Sequence, residues 1–177
     1  LVYTTLKNKK QLQQNINMIE RIIETKVSVC DFDELSADHK MLIEKAKSQA
    51  NNAYAPYSGF QVGAAVLLAN GEIFGGNNQE NAAYPSGLCA ERVAMFYANA
   101  QHPDVPVTTL AIAAYTGGAF LADPVTPCGS CRQVLIETES RYGKDITVLL
   151  YGTEHTYMLG NVKQLLPLRF EKSSLKL

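Results

Sequence analysis

Two short runs carry most of the reactive side chains. The first is Cys89-Ala90-Glu91-Arg92, with a thiol and a carboxylate two residues apart. The second is Pro127-Cys128-Gly129-Ser130-Cys131-Arg132-Gln133, a Cys-x-x-Cys pair between a proline and an arginine. Structural zinc sites usually close with four protein ligands, whereas catalytic sites keep one position for water. Cys89, Cys128 and Cys131, beside a carboxylate that is not needed as a ligand, therefore read as an open zinc site with its own proton carrier. Zinc lowers the pKa of bound water from about 15.7 to about 7. Glu91 is then placed to move protons between that water and a substrate. Cys30, outside both runs, would close the site if it were a fourth ligand, but a lone cysteine is more commonly a buried free thiol.

Both runs must sit where helices begin. Residues 90–100 and 130–142 read as helical, and Pro127 suits a first helical turn. Cys128 and Cys131 are three apart, so they share a face and can hold one ion. Free N–H groups and the helix dipole favour thiolates at such positions. Three thiolates with Zn²⁺ leave a net charge of about −1, a poor Lewis acid unless something draws density from the sulfurs. Arg92, one turn after Cys89, and Arg132, next to Cys131, are expected to do so by bonding the thiolates.

The remaining elements follow from local pattern. Residues 27–32 form a short strand, and a helix follows with Ser36 or Asp33 as its cap. Leu42, Ile43, Ala46 and Ala50 mark that helix's apolar face, and Pro56 prevents its continuation. Residues 60–70 read as a strand whose apolar centre, 62–69, is covered on both faces. Asn70-Gly71 signals a two-residue hairpin, with 72–78 returning antiparallel. Residues 107–115, 146–151 and 155–159 are further strands. Gly143 is a C′ residue, and residues 161–165 form a last helical turn before Pro167. Alternation of this kind gives an α/β fold, a mixed five-stranded sheet with helices on both faces. Leu12, Ile16, Ile19 and Ile23 recur at helical spacing. Residues 1–26 are nonetheless polar and are expected to be a poorly ordered extension, with those before Met18 added ahead of a single catalytic domain, 27–177.

Composition narrows the function classes. Hydrophobic residues make up 46% and charged residues 19%, as in an ordinary globular protein. A net charge of −1 argues against a nucleic-acid partner, which would select a basic face. No apolar run approaches the roughly 18 residues of a membrane helix, so no membrane partner is expected. The Cys-x-x-Cys spacing favours thiols in a reducing compartment and hence a cytoplasmic location.

Three cysteines with a free acid recur in zinc nucleobase deaminases. Together with Ala55-Pro56-Tyr57-Ser58-Gly59-Phe60, Val62-Gly63-Ala64-Ala65, Asn78-Gln79-Glu80-Asn81-Ala82-Ala83-Tyr84 and Cys131-Arg132-Gln133-Val134-Leu135, they make residues 53–170 resemble the cytidine deaminase family. The resemblance implies a three-layer α/β/α sandwich, one Zn²⁺ per subunit and a homotetramer with shared active sites. It implies hydrolytic deamination of cytidine and 2′-deoxycytidine to the uridine forms, with release of ammonia. Water activated at the metal attacks C4, and Glu91 passes protons to N3 and the departing amine. By the same resemblance, Phe60 packs on the pyrimidine and the backbone at Ala90 reads the base. Tyr57, Tyr84 and Phe170 help to build sites between adjacent subunits.

Asn78 and Glu80, two apart on a strand end, point to one face and match the family's ribose-binding pair. A carboxylate there repels a 5′-phosphate, so nucleosides rather than CMP or polynucleotide are expected. Gln79 departs from the apolar residue common in the family. Two other readings stand beside this one. One is a blasticidin-type deaminase, which has a similar zinc site. The other is a non-catalytic structural zinc module, for which a free acid beside the metal has no use.

Overall fold

The computed structural model describes residues 19–175. In chain order the main elements are β1 (Ser28–Cys30), α1 (Ala37–Ala50), β2 (Gln61–Leu68), β3 (Ile73–Asn77), α2 (Ala90–Gln101), β4 (Val107–Thr116), β5 (Ala119–Phe120), α3 (Gly129–Tyr142), β6 (Thr147–Tyr151) and β7 (Thr156–Leu159). The strands form one mixed sheet in the order β1-β7-β6-β4-β2-β3, with β5 paired to β4. Only β4 and β6 run parallel; the other pairings are antiparallel.

Side-chain alternation along the strands divides the interior into two cores. Ala64, Val66, Leu110, Ile112, Val148 and Leu150 face α2 and α3. Ala65, Ala111, Ala113 and Leu149 face α1, where Leu42, Ile43 and Ala46 meet them. The result is the expected α/β/α sandwich. Burying each large aliphatic side chain in such a core contributes roughly 1.5–3 kcal/mol. Ser36 caps α1 by accepting a hydrogen bond from the His39 N–H, and Gly143 ends α3 at φ 60°.

The sheet has seven strands rather than five, because β1 and the two-residue β5 join the five expected. Gly117 and Gly118 are the turn of the β4–β5 hairpin, with φ 61° and 91°. The turn at Asn70-Gly71 is one residue longer than expected. The Leu68 N–H still donates to Glu72, leaving Ala69, Asn70 and Gly71 as the loop. Gly71 takes φ 89° there, as the third position of such loops requires. Residues 19–27 carry no regular structure, so the spacing of Ile19 and Ile23 does not produce a helix. Leu12 and Ile16 lie outside the described residues.

Strand direction decides where the two cysteine runs meet. β3 and β4 are both antiparallel to β2, so they point the same way. α2 links the end of β3 to the start of β4, and α3 precedes β6, which is parallel to β4. Both helices therefore start beyond the same edge of the sheet, on the same face. Gly76 lets α2 settle close enough. A Cβ on Gly76 would lie 2.4 Å from the Ala94 nitrogen and 2.9 Å from the Ala90 carbonyl oxygen, both main-chain atoms. Gly76→Ala is expected to cost at least about 1–3 kcal/mol through overpacking and to lower metal content with it. Equilibrium unfolding in urea, alongside metal analysis, measures both, and a variant as stable as the parent would contradict this role.

Candidate metal centre

Each cysteine of the cluster owes its place to a helix start. Cys89 caps α2 and Cys128 caps α3, both in extended conformation, and Cys131 lies in the first turn of α3. Neither capping side chain bonds a helix N–H, so both sulfurs turn towards the third. The Cys89 and Cys128 sulfurs are 3.9 Å apart, and all three lie within 4.8 Å of one another. A tetrahedral ion with Zn–S bonds of about 2.3 Å holds its sulfurs about 3.8 Å apart. The donor set and its spacing therefore fit zinc. Cys30 lies elsewhere, donating to the Thr156 carbonyl from β1 at 3.7 Å.

Charge in this cluster is distributed unevenly. The Cys131 thiol, donating to Cys89, brings the Cys89 thiol down to about 5; burial opposes this, while Arg92 and Cys128 assist it. The same contact, then burial, pushes the Cys131 thiol up. Arg92 donates from Nη2 to the Cys89 sulfur at 3.7 Å, as its spacing implies, and its Nε is buried without a partner. Arg132 does not follow the expectation. Its guanidinium bonds the Pro127 carbonyl, the Leu165 carbonyl and the Thr126 hydroxyl instead of a thiolate. The reason is direction, since a helical side chain leans towards the N-terminus of its helix.

Glu91 is 5% exposed and lines a cavity of about 610 Å³ together with Cys89 and Cys128. Burial pushes its carboxyl up, and the nearby Cys89 thiolate adds to the effect. The cavity lies within the range of about 300–1,000 Å³ usual for small-molecule sites. Ala90, Asn78 and Glu80 also line it, as do Tyr57 and Tyr84, whose rings stand edge to face at 6.1 Å.

Asn78 and Glu80 are already engaged by their own chain. The Asn78 amide donates to the Phe60 carbonyl and accepts from the Val62 N–H. Glu80 accepts from the Ser58 hydroxyl and from the N–H groups of Tyr57 and Ser58. These bonds, the Ser58 hydroxyl first, hold its carboxyl below the usual range. The Gln79 amide, between them, turns to Asn77.

Two expected residues do not line the cavity. Phe60 is held through its main chain by Asn78 and Ser58. Phe170 is 57% exposed, with its carbonyl bonded by Gln133. Ile112, Val125 and Thr126 do line it and were not foreseen. Ile112 is one apolar residue in an apolar strand, and the other two sit in a loop whose path local pattern does not specify. Arg92→Gln is expected to accelerate metal release to a chelator by about 10–100-fold and to reduce turnover. Unchanged release would remove Arg92 from the centre.

Comparison with known proteins agrees with this geometry. Residues 36–144 match the family model described as the cytidine and deoxycytidylate deaminase zinc-binding region. A cytidine deaminase of Halalkalibacterium halodurans is 45% identical over 100 residues, which are 56% of this chain and 71% of the relative. One from Mycobacterium tuberculosis is 41% identical over 100 residues, with the same shares. Among solved structures, cytidine deaminase from Burkholderia pseudomallei superposes with a TM-score of 0.64 at 40% identity, covering 75% of this chain and 98% of that one.

Proposed function

The chain belongs to the cytidine and deoxycytidylate deaminase zinc-binding family, and from that premise we infer what its pocket does. It carries out the zinc-dependent hydrolytic deamination of cytidine and 2′-deoxycytidine. Water is consumed, the C4–N bond breaks, and the uridine nucleoside and ammonia leave. The observation that carries this reading is a buried carboxylate, Glu91, beside three clustered sulfurs in a nucleoside-sized cavity.

Cys89, Cys128 and Cys131 would hold one zinc ion per subunit. When bound, the ion supplies Lewis-acid activation that brings water towards a pKa of about 7. Glu91 is the proton carrier. Its burial favours the protonated form, so it can give one proton to N3 and, once it has taken another from the attacking water, give that one to the departing amine. Arg92 draws density from Cys89. The main chain at Ala90 faces the base from a helix start.

Asn78 and Glu80 are assigned to the ribose. Asn78 keeps one amide hydrogen after its bond to Phe60, and an ionised carboxylate with three acceptor bonds has capacity for another. The Glu80 charge also disfavours a 5′-phosphate. A homotetramer with shared sites would cover the Tyr57, Tyr84 and Phe170 rings, which are 54%, 77% and 57% exposed. Residues 27–177 form the catalytic domain in this reading. A reducing cytoplasm is the compartment that keeps its thiols available. Among the described residues no helix is long and apolar enough to cross a membrane.

Ammonia release tests the reading. Cytidine and 2′-deoxycytidine should react, while CMP, free cytosine and single-stranded DNA should react poorly. Glu91→Gln should retain zinc and lose at least about 10²–10⁴ in turnover. A zinc-loaded Glu91→Gln variant with near-normal turnover would exclude Glu91, and efficient use of CMP would overturn the assignment of Glu80.

A further inference from the structure

Arg132 leaves the sulfurs alone, yet two of its bonds fall on the residues that deliver one of them. From the first turns of α3 its side chain reaches back past Cys128. Nε donates to the Pro127 carbonyl at 2.8 Å, and Nη2 donates to Thr126 Oγ1 at 3.0 Å. Among the described residues, no other hydrogen bond reaches Thr126 or Pro127. The third bond, from Nη1 to the Leu165 carbonyl at 2.8 Å, crosses to the chain's C-terminal segment.

That third acceptor is well anchored. Leu165 ends the 3₁₀ turn Val162–Leu165, and Val162 and Leu165 are both buried. The Val162 N–H donates to the buried Glu139 carboxylate of α3 at 2.9 Å, and Glu139 also takes the Ile146 N–H at 3.1 Å. The next residue of α3, Gln133, donates to the Phe170 carbonyl. Arg132 thus joins a turn with no other hydrogen-bond anchor to a segment fixed at several points. A planar guanidinium holds three such acceptors in fixed relative directions, which an ammonium does not do.

We propose that Arg132 is a positioning residue for the metal centre: by bracing Thr126 and Pro127 against Leu165 it sets where Cys128 presents its sulfur. The inference rests on the zinc reading above. Of the three cysteines, Cys128 is the exposed one. Cys131 is packed inside α3's buried face, and Cys89 is bonded by Arg92. Cys128 therefore depends most on the loop that precedes it. Without the brace its sulfur is the first to detach, and the ion becomes open to a competing chelator.

The test uses zinc-loaded protein and three variants, Arg132→Gln, Arg132→Lys and Thr126→Val. Zinc release to a chromogenic chelator is followed in time, and the thiolate-to-metal absorption of the cobalt-substituted proteins is recorded. Arg132→Gln should release zinc at least about 10-fold faster and show weaker thiolate-to-cobalt absorption. Arg132→Lys should restore part of the retention, and Thr126→Val should speed release by a smaller factor. A lowered melting temperature with unchanged release and an unchanged cobalt spectrum would make Arg132 a structural brace only and overturn the proposal. If Arg132→Gln does not fold, Thr126→Val decides: faster release supports the positioning role and unchanged release overturns it. Parent protein that holds no zinc would defeat the metal reading itself, whereas equal retention by the parent and all variants defeats this inference alone.

Discussion

Three sulfurs within 4.8 Å of one another are compatible with a folded chain only if protons or a cation offset their charge, and much of the molecule serves that demand. Thiolates gain most from unpaired N–H groups at helix starts, and Cys89 and Cys128 each occupy such a start. Two helix starts can meet only if the strands feeding them point the same way, as β3 and β4 do. They can approach the sheet only where side chains are small, as at Gly76 and Ala64. The centre is thus a product of topology and close packing as much as of three cysteines.

Two carboxylates in the same cavity are tuned in opposite directions. Burial pushes Glu91 up, which suits the proton-carrying role proposed for it. Three donated hydrogen bonds hold Glu80 down, which suits the charged, ribose-facing role proposed for it and ties down the loop at Tyr57 and Ser58. Environments that separate the protonation of neighbouring acids are a common way for one site to perform two tasks at one pH. The two arginines divide in the same manner. Arg92 acts on a sulfur directly, and Arg132 on the main chain that carries one.

Much of this was legible in the residues. The Cys-x-x-Cys pair, the Cys-x-Glu run and helical periodicity pointed to the three clustered cysteines, the buried carboxylate beside them and both helices. Period-two spacing put Asn78 and Glu80 on one wall. What escaped was decided by contacts distant in sequence or by main-chain direction. The backward lean of Arg132 took it to Leu165, 33 residues away. β5 is only two residues long, too short for any periodicity, and it exists because Gly117 and Gly118 turn the chain back on β4. The hold of Asn78 on the Phe60 carbonyl joins a strand end to a preceding loop, and no local pattern marks it. The engagement of Glu80 by Ser58 could not be read either, since a loop that folds back on a strand end leaves no pattern in the chain.

The central claim is an open, three-thiolate zinc centre. X-ray absorption at the zinc edge of the purified protein tests it most directly, because it counts ligand types and measures their distances. The expected spectrum contains three sulfur scatterers at about 2.3 Å and one oxygen scatterer at about 2.0 Å. Four sulfur scatterers would make the site closed and structural, and would contradict the claim.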